Sequence, residues 1–429
     1  MTFQQSLLLV IPGFGLLMTI EFLAGKWMKK EVYSNLPDAI ASLSSGIASI
    51  TMATLGIGIG LVSYDWMLAN FAIFSFDSHS VLVWVMVIVG LDFAAYWGHR
   101  WSHIYNVFWQ THLVHHSSEE FNLPCALRQT VSGRLISFFT FLGLPLAILG
   151  IPMEIIAVVS LVHLYYQYWY HTQLIGNLGW IERILVTPEQ HSIHHAMNPE
   201  YIDKNFGAWF SIWDQMFGTF QTKIEGVEPV YGVTRPVRTW NPIKIDFMHW
   251  GLMLRDFFAT RGLNQKLKLL VSKTNWRPDD AAAKHPVYSV SDVHRFDKYK
   301  PTLSLPTLLW SQAEFYLCLG LLVLYFFQHG SLSETGVMIG GLFILFHVFV
   351  YTTVMEGKAA LQLLLARALL FGVGFYGFSY DWFGLHALSP LLFGAVMSFF
   401  VLAVLQSLLF NRGASAAAYG QANAVKTLA

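Results

Sequence analysis

Long apolar runs separated by short polar stretches dominate the amino-acid sequence. A helix needs about 20 apolar residues to cross a bilayer. The first half of the chain has such runs at residues 6–25, 39–62 and 81–97, and a longer one at 135–170. A Gly-Ile-Pro sequence interrupts the longest run at residue 150. This interruption predicts a pair of helices that enter the membrane and return to the same side.

Four further apolar runs follow a long polar segment at residues 223–302. They lie at residues 306–327, 335–354, 361–376 and 387–410. Together with the first half they predict about nine transmembrane helices. Arg367 falls inside the third of these runs, and we expect its side chain to snorkel to the nearer membrane surface.

The positions of Lys and Arg predict which loops face the cytoplasm. Lys26, Lys29, Lys30, Lys358 and Arg412 lie in alternate gaps between the predicted spans. The positive-inside rule then places five segments on the cytoplasmic side. These are residues 26–38, 98–134, 171–305, 355–360 and the C-terminal tail. The N-terminus is predicted to lie outside.

Composition excludes an ordinary soluble protein. Of the 429 residues, 55% are hydrophobic and 12% are charged, against about 25% charged residues in soluble domains. Lys and Arg together number 26, as do Asp and Glu, so the net charge is zero. No global basic field exists, and nucleic acid is not expected as a partner. Two cysteines supply no disulfide framework and no thiolate metal site.

These patterns predict an all-α polytopic membrane protein in which a cytoplasmic helical cap carries a histidine-rich di-metal site. We divide the chain at changes in polarity into five predicted parts. They are an N-terminal transmembrane region at 1–80, a catalytic domain at 81–222, a cytoplasmic polar segment at 223–305, a C-terminal four-helix transmembrane region at 306–410 and a disordered tail at 411–429.

Histidine is concentrated in one part of the chain. Ten of the 17 histidines lie between residues 99 and 195, where even spreading would place about four. They form the series HxxxH, HxxHH and HxxHH, with two more between the last two clusters. Residues three or four apart share one face of a helix, so we expect the rings of each cluster to point to one side. The candidate metal ligands are His99, His103, His112, His115, His116, His163, His171, His191, His194 and His195.

The number of imidazoles indicates two metal ions. Eight to ten imidazoles exceed the four ligands of a structural zinc site, and they suffice for two ions with about four or five ligands each. Imidazole binds Fe, Zn, Cu and Ni, so the ligands alone do not choose the metal. Two redox-active ions would suit O2 reduction and attack on a C–H bond, whereas two zinc ions would suit hydrolysis.

The histidine series and its neighbouring strings resemble the fatty acid hydroxylase/sterol desaturase superfamily of membrane non-haem di-iron oxygenases. Within it, they are most similar to the alkylglycerol monooxygenase subfamily, although His163 stands where that subfamily carries an amide residue. The resemblance covers about residues 85–222. The strings that carry it are DFAAYWGHR at 92–100, SSEEFNL at 117–123, ALRQ at 126–129, YQYWYHT at 166–172, TP at 187–188, IDKN at 202–205 and WDQMFGTF at 213–220.

The resemblance implies an O2-dependent lipid monooxygenase with two irons. It implies that the enzyme hydroxylates the ether-linked carbon of an alkylglycerol, which then yields a fatty aldehyde and a glycerol derivative. Tetrahydrobiopterin is implied as a possible reductant, and the expected partners are a membrane lipid, O2 and an electron donor. The alternative is a hydroxylase or desaturase of another lipid, such as a sterol, carotenoid, fatty acyl chain or aminolipid, because the metal ligands would be the same.

Polar residues beside the clusters are candidates for supporting roles. Asp92 lies within a predicted span, seven residues before His99, where an acid is a functional candidate by default. With it, Glu120 and Asn122 are predicted to act in catalysis. We expect a further group to orient ligand imidazoles through their second nitrogen. That group is Glu119, Arg128, Gln129, Asp203 and Asp214.

A metal transporter is a third interpretation of the histidines. It predicts ligands near the middle of the membrane spans. The clusters instead follow the ends of predicted spans, beside Arg100, Arg128 and Arg183. A b-type haem protein would need paired histidines at mid-helix, a pattern that the sequence lacks. The oxygenase interpretation is therefore favoured.

Overall fold

The protein is helical wherever its structure is described. The computed structural model describes residues 3–57, 63–136, 138–357 and 360–410. Over these ranges the only β pairing consists of two isolated bridges, and no strand is formed. This confirms the all-α prediction. Lys358 and Arg412, which support the predicted sidedness, lie outside the described residues, as does the tail from residue 411.

Fourteen α-helices precede residue 300 in the described ranges. They are α1 (Phe3–Trp27), α2 (Leu36–Thr54), α3 (Tyr64–Phe71), α4 (Val81–Ile104), α5 (Asn106–His116), α6 (Leu123–Ala126), α7 (Ser132–Leu135), α8 (Leu144–Leu149), α9 (Met153–Trp169), α10 (Pro188–His194), α11 (Ile212–Met216), α12 (Pro242–Ala259), α13 (Leu263–Val271) and α14 (Asp279–Lys284).

Five more helices follow residue 300 in the described part of the chain. They are α15 (Leu305–Gln328), α16 (Glu334–Met355), α17 (Leu361–Phe378), α18 (Leu385–Leu388) and α19 (Pro390–Phe410). Short 3-10 turns lie at Thr140–Gly143, Gly179–Arg183, Val293–Arg295 and Trp382–Gly384.

Six of the described helices are long and apolar enough to cross a membrane, and this is an integral membrane protein. They cover Val10–Trp27, Val81–Ile104, Leu305–Gln328, Glu334–Met355, Leu361–Phe378 and Pro390–Leu408. The prediction of nine spans is not confirmed. In the predicted second span, α2 carries Asp38 and four serines. The predicted 135–170 pair forms the six-residue α8 and the 17-residue α9.

The chain divides into two compact units. One unit, called here the histidine unit, contains residues 12–239 and 243–300. The other, called the C-terminal unit, contains the described residues of 1–11, 240–242 and 301–429. All ten clustered histidines lie in the histidine unit. The predicted five-part division is not tested by this partition and stays a prediction.

Apolar packing places α4 at the centre of the histidine unit. Val83 and Val87 of α4 are buried against Leu146, Ile155 and Val159 from α8 and α9. Within a membrane such contacts stabilise helix pairs by van der Waals packing rather than by transfer from water. This packing fixes the direction of α4, whose last two turns carry His99 and His103.

Small residues allow α2 to pack tightly against the chain near α6. A Cβ atom on Gly46 would lie 2.8 Å from the carbonyl oxygen of Leu127, so only glycine fits there without movement. The close approach brings the N-terminal end of α2 to the segment that follows α6. Asp38 on α2 therefore reaches Arg128, with 2.7 Å between carboxylate and guanidinium.

The polar segment after residue 223, most of which belongs to the histidine unit, packs against earlier parts of that unit through buried hydrogen bonds and is held together by a buried ion pair. Asp246 on α12 accepts hydrogen bonds from the backbone amides of Val131 and Ser132, at 2.7 and 2.6 Å. Asp256 on the same helix pairs with Arg277 at 2.6 Å. Asn106 at the start of α5 donates to the carbonyl of Leu269 on α13. The segment is thus an ordered helical layer over α5.

A buried ionic cluster joins three spans of the C-terminal unit. Arg367 on α17 donates two hydrogen bonds to Glu314 on α15, at 2.7 and 3.0 Å, and lies 3.0 Å from His347 on α16. Its guanidinium also lies over the ring of Phe400 on α19, 4.4 Å from the centroid. Arg367 is fully buried. The prediction that its side chain snorkels is therefore wrong, because a bidentate partner within the bundle satisfies its charge.

We expect Arg367→Leu to destabilise the protein strongly. The substitution leaves Glu314 buried without its counterion, and breaking a buried pair from one side costs about 3–5 kcal/mol. Thermal unfolding in detergent should show a large fall in Tm. The double variant Glu314→Leu with Arg367→Leu is the matched control, and we expect it to recover much of the loss. An unchanged Tm in the single variant would contradict the prediction.

Candidate metal centre

Nine imidazoles, five of them buried and four partly buried, converge in two groups within the histidine unit. In each group, one ring nitrogen of every member lies within 4.8 Å of the others. Group A, as named here, is His99, His103, His112, His116 and His194, and group B is His115, His171, His191 and His195. The structure thus brings together nine of the ten histidines that the sequence singled out.

Helix periodicity divides each HxxHH cluster between the two groups. On α5, His112 and His116 are one turn apart and join group A, while His115 points to group B. On and just after α10, His191 and His195 join group B and His194 joins group A. The expectation that all three rings of a cluster point to one side is therefore wrong. Only the i,i+4 pair shares a direction, and the third ring lies about 100° around the helix.

Backbone carbonyl groups fix the orientation of four rings. The Nδ1 atom of His99 lies 2.9 Å from the carbonyl oxygen of Phe206, and that of His115 lies 3.3 Å from the carbonyl oxygen of Arg128. The Nδ1 atom of His171 lies 2.7 Å from the carbonyl oxygen of Gln167, and that of His194 lies 2.8 Å from the carbonyl oxygen of Lys204. A carbonyl oxygen only accepts hydrogen bonds, so Nδ1 must carry the proton. In a neutral imidazole the Nε2 atom then has a free lone pair.

The remaining ring nitrogens face one another at distances that suit a shared cation. The Nε2 atoms of His115 and His171 are 3.3 Å apart, and both rings have Nδ1 on a carbonyl. Two lone pairs cannot form a hydrogen bond, whereas a metal ion between them would accept both. The Nε2 atom of His99 is buried and has no hydrogen-bond partner. The donor set therefore fits metal ions at both groups.

Burial keeps the ligand rings neutral. Desolvation lowers the pKa of His115 to about 3. The other rings that lie outside the membrane spans have a pKa well below the ordinary value of histidine. Desolvation is the largest cause, and interaction with neighbouring imidazoles is the second. Those rings are His112, His116, His171, His191, His194 and His195. Neutral imidazole is the form that binds metal, so no proton has to be displaced.

The predicted supporting acids act through the backbone rather than on ligand rings. Asp214 accepts hydrogen bonds from the amides of Phe206 and Gly207, at 2.8 and 2.7 Å, and the carbonyl of Phe206 binds His99. Asp92 accepts from the amides of Trp209 and Phe210, at 2.7 and 3.0 Å. Both acids thus fix the loop at residues 206–210, and Asp214 binds Phe206, the residue whose carbonyl orients the candidate ligand His99.

Arg128 supports His115 in the same indirect way. Its carbonyl binds the ring, and its fully buried guanidinium donates to Asp38, Ser42 and Ser117. Asp38 was not singled out from the sequence. An acid followed by four serines on an otherwise apolar helix is the signal that could have identified it, because such a side chain needs a buried partner.

The other predicted supporting residues tie neighbouring segments together. Glu119 accepts from the amide of Tyr299, and burial raises the pKa of Glu119 to about 7. Glu120 accepts from Ser34 and Lys298, at 3.0 and 3.2 Å. Asn122 donates to the carbonyl of Val32, and Gln129 to that of Ala126. Their predicted catalytic or ring-orienting roles stay predictions.

A strained turn presents the carbonyl that orients His194. Asp203 and Asn205 have φ of 60° and 53°, in the left-handed region that Asp and Asn tolerate better than most residues. Between them, the carbonyl of Lys204 accepts from Nδ1 of His194 at 2.8 Å. Asp203 also lines a small cavity beside group A, and burial raises the pKa of this carboxyl.

His163 lies in neither group. Its Nε2 atom is 2.9 Å from a carboxylate oxygen of Asp92, and its Nδ1 atom is 2.7 Å from the side-chain amide of Gln167. Both nitrogens are therefore used within the protein. In contrast to the prediction, the structure does not bring this ring to the other nine. His163 lies on α9, two turns before His171, where its ring binds Asp92.

A cavity of about 550 Å³ borders both groups and is called here the lipid cavity. Its polar end exposes the rings of His99, His112, His115, His171 and His191. Its apolar wall is formed by side chains from α4, the Thr140–Gly143 turn and α9, namely Leu91, Ala94, Ala95, Phe139, Leu142 and Leu164. Tyr168 and Tyr170 also line it.

Comparison with known proteins accounts for this arrangement. Residues 84–219 match the family model described as fatty acid hydroxylase. The resemblance to that family is confirmed. No solved structure matches the chain.

Named relatives extend the match beyond this segment. The chain is 39% identical to alkylglycerol monooxygenase of Homo sapiens over 267 residues, which cover 62% of this chain and 59% of the relative. It is 36% identical to the Danio rerio protein of the same name, over 62% of this chain and 59% of the relative. The match to ornithine lipid hydroxylase OlsE of Rhizobium tropici is 26% over 162 residues, or 35% of this chain and 46% of that protein. The chain thus spans about three fifths of the length of the alkylglycerol monooxygenases.

We expect metal-depleted protein to lose stability as the pH falls below about 6.5. The folded-state pKa values of the ligand rings lie below the unfolded value, so the unfolded chain binds more protons in this range. The free energy of unfolding is therefore highest above the pKa of the unfolded state and decreases as the pH falls toward the pKa of the folded state. Each ring that stays neutral contributes about 1.4 kcal/mol per pH unit. Thermal unfolding from pH 7.5 to 5.5 measures the effect, and a constant Tm would contradict it.

Proposed function

We propose that this chain is a membrane-bound, O2-dependent non-haem di-iron monooxygenase that acts on lipid. The observation that carries the proposal is the pair of imidazole groups opening on a cavity with an apolar wall. Two ions held mainly by neutral imidazole leave coordination positions for O2, and the cavity can hold an alkyl chain beside them. The fatty acid hydroxylase match over residues 84–219 supports iron as the metal.

We further propose that the substrate is an alkylglycerol and the product a hydroxylated ether carbon. The matched relatives from Homo sapiens and Danio rerio bear the name alkylglycerol monooxygenase. A hydroxyl group on the ether carbon gives a hemiacetal, which breaks down to a fatty aldehyde and a free glycerol hydroxyl. Tetrahydrobiopterin is proposed as a possible reductant by resemblance to the same enzymes.

Iron bound at the two groups would supply the activation of O2 and the removal of hydrogen from an unactivated carbon. The chain itself would perform the positioning. Leu91, Ala94 and Phe139 would hold the alkyl chain along α4, and the polar end of the cavity would accept the headgroup near Gln129 and Thr130. Enclosure by these walls keeps bulk water from the reacting carbon.

We also propose that the site faces the cytoplasm and that residues 81–222 form the catalytic domain. The described lysines at residues 26, 29 and 30, just after α1, support this side by the positive-inside rule. The polar layer formed by α12 and α13 packs over α5, as expected of a cap on an aqueous surface.

Hydroxylation of another lipid is the second candidate. The similarity to ornithine lipid hydroxylase OlsE favours it specifically, because that relative matches over a stretch of the chain without being an alkylglycerol monooxygenase. The metal ligands would be the same for both substrates. Only the cavity and its headgroup end can discriminate between them.

An aldehyde assay tests the proposed activity. Purified protein with about two irons per chain should release fatty aldehyde from an alkylglycerol in the presence of O2 and a reductant. His194→Ala should abolish turnover and lower the iron content, because it removes a ring of group A. His163→Gln is the matched control. It should leave the iron content unchanged, because His163 belongs to neither group. Two zinc ions with no O2 consumption would refute the oxygenase, and intact ether lipid with turnover of an aminolipid would support the second candidate.

A cavity-filling substitution tests the placement of the alkyl chain. Ala94→Phe adds a ring to the wall of the lipid cavity on α4, so it should lower turnover of long-chain substrates at least about tenfold while iron content is retained. Val89→Phe lies on the same helix, where residue 89 is exposed, and it should behave as wild type. Equal activities of the two variants on long and short chains would show that the cavity does not hold the alkyl group.

A further inference from the structure

A second cavity adjoins the polar end of the lipid cavity. It measures about 340 Å³ and is called here the Arg134 cavity. This volume lies within the range of small-molecule sites, about 300–1,000 Å³. The two cavities share six lining residues, so a ligand in one can extend into the other. His112 of group A is one of the six. The other five are Ser102, Thr111, Gln129, Thr130 and Phe139.

Arg134 lines this cavity with most of its hydrogen-bonding capacity unused. A guanidinium carries five N–H donors. The Nε atom of Arg134 donates to the hydroxyl of Ser49 on α2 at 3.1 Å. Among the described residues, the two terminal nitrogens of Arg134 have no hydrogen-bond partner, and no carboxylate pairs with them. Four N–H donors are therefore available to a ligand in the cavity.

Protein surrounds this guanidinium without supplying a counterion. Arg134 is exposed, and yet desolvation lowers the pKa of its side chain while no neighbouring acid raises it. A side chain has both properties when it borders a cavity within the protein instead of an outer surface. Holding a cation away from bulk water is unfavourable unless an anion pairs with it. An anionic ligand would supply the missing partner.

Asp246 on α12 does not serve as that partner, although it binds the same loop. Its carboxylate is buried and accepts four hydrogen bonds from residues 130–132, at 2.6–2.9 Å. It does not line the Arg134 cavity, and none of the described residues that do is acidic. His112 is the other ionisable residue of the lining, and its ring is neutral. The cavity therefore carries positive charge only.

The order of groups along the two cavities matches the order of groups in an ether lipid that carries phosphate. The apolar wall on α4 comes first, His112 lies where the cavities meet, and Arg134 lies in the second cavity. With its alkyl chain on the apolar wall, such a lipid would place its ether carbon near His112. Its glycerol would lie beside Gln129 and Thr130, and its phosphate would reach Arg134.

We propose that Arg134 determines headgroup specificity by binding a phosphate on the glycerol of the lipid, so that an alkylglycerol phosphate is preferred to the uncharged alkylglycerol. This inference rests on the proposed lipid monooxygenase function and narrows its substrate class. Arginine presents paired N–H donors that match two phosphate oxygens, and such charge-assisted hydrogen bonds are stronger than neutral ones. Arg134 is a positioning residue, because it holds the headgroup and does not touch the reacting carbon.

Binding to metal-depleted protein tests the site without turnover. The full chain in an uncharged detergent is titrated with hexadecylglycerol and with hexadecylglycerol phosphate, which carry the same ether-linked chain. Wild type should bind the phosphate lipid at least about tenfold more tightly, and Arg134→Gln should reduce this ratio to within about twofold. Arg134→Lys should keep part of the preference, because it retains the charge but loses the paired donors. An unchanged ratio in Arg134→Gln would overturn the proposal.

Arg183→Gln is the matched control. It removes the same charge from an exposed arginine that lines neither cavity, so it should keep the wild-type ratio. Loss of the preference in this variant would indicate a general effect of net charge and would contradict the proposal. The ratio is the readout because general misfolding weakens the binding of both lipids alike, whereas loss of phosphate recognition weakens only one.

Inorganic phosphate distinguishes a headgroup site from a site for the free anion. It lacks the alkyl chain, so it should displace the phosphate lipid from wild type only at concentrations at least about a hundredfold above the Kd of that lipid. Displacement at concentrations near this Kd would show that free phosphate is the ligand, and the proposed role in headgroup selection would be wrong.

Turnover separates failure of this inference from failure of the proposed function. If iron-loaded wild type and Arg134→Gln release aldehyde from the two lipids with the same relative kcat/KM, the monooxygenase stands and Arg134 does not select the headgroup. If the binding ratio depends on Arg134 but no ether lipid is oxidised, the phosphate site stands and the proposed function fails.

Discussion

The structure depends on one constraint, the need to satisfy many buried imidazole lone pairs at once. Four rings donate Nδ1–H to backbone carbonyls, which leaves their Nε2 atoms as acceptors that face other imidazoles. Acceptors cannot satisfy one another, and leaving a buried polar atom unpaired costs about 1–3 kcal/mol. A bound cation at each group resolves the conflict. The stability of the histidine unit would therefore be coupled to metal bound at these two groups.

The carbonyls that orient the rings come from loops, and buried acids fix those loops. Asp214 binds the amides of Phe206 and Gly207, while Asp38 holds the guanidinium of Arg128. In each case the buried acid binds the residue whose carbonyl orients an imidazole ring. This arrangement orients an imidazole without placing a carboxylate beside the metal, where it would compete for a coordination position. The acids near the centre thus contribute rigidity and not ligation.

Helical periodicity predicted the ligands from sequence, but not how they divide. The spacing of the clusters identified eight of the nine residues that converge, because same-face spacing is a local property of a helix, and the ninth, His171, was one of two histidines between the clusters. It did not show that His115 and His116 separate into different groups, which depends on the rotation of α5 about its axis. Nor could spacing exclude His163, whose partner Asp92 lies 71 residues away on another helix. Spans were predicted by apolarity alone, and α2, whose serines and Asp38 serve packing and ion pairing, is not among the six described helices that are long and apolar enough to cross.

The division of adjacent histidines has a mechanical consequence for the metal centre. His115 and His116 are neighbours on α5, and His194 and His195 are neighbours at the end of α10, yet each pair serves both groups. The same two short helices therefore set the positions of rings in both groups. An ion bound in group A fixes the rotation of α5 and α10, and this rotation orients the group B rings that these helices carry. Only His171 reaches group B from a separate helix end, and its ring lies against Phe121. Two ions bound at groups A and B would therefore be held at a separation set by the backbone of these helices, as the proposed reaction with O2 requires.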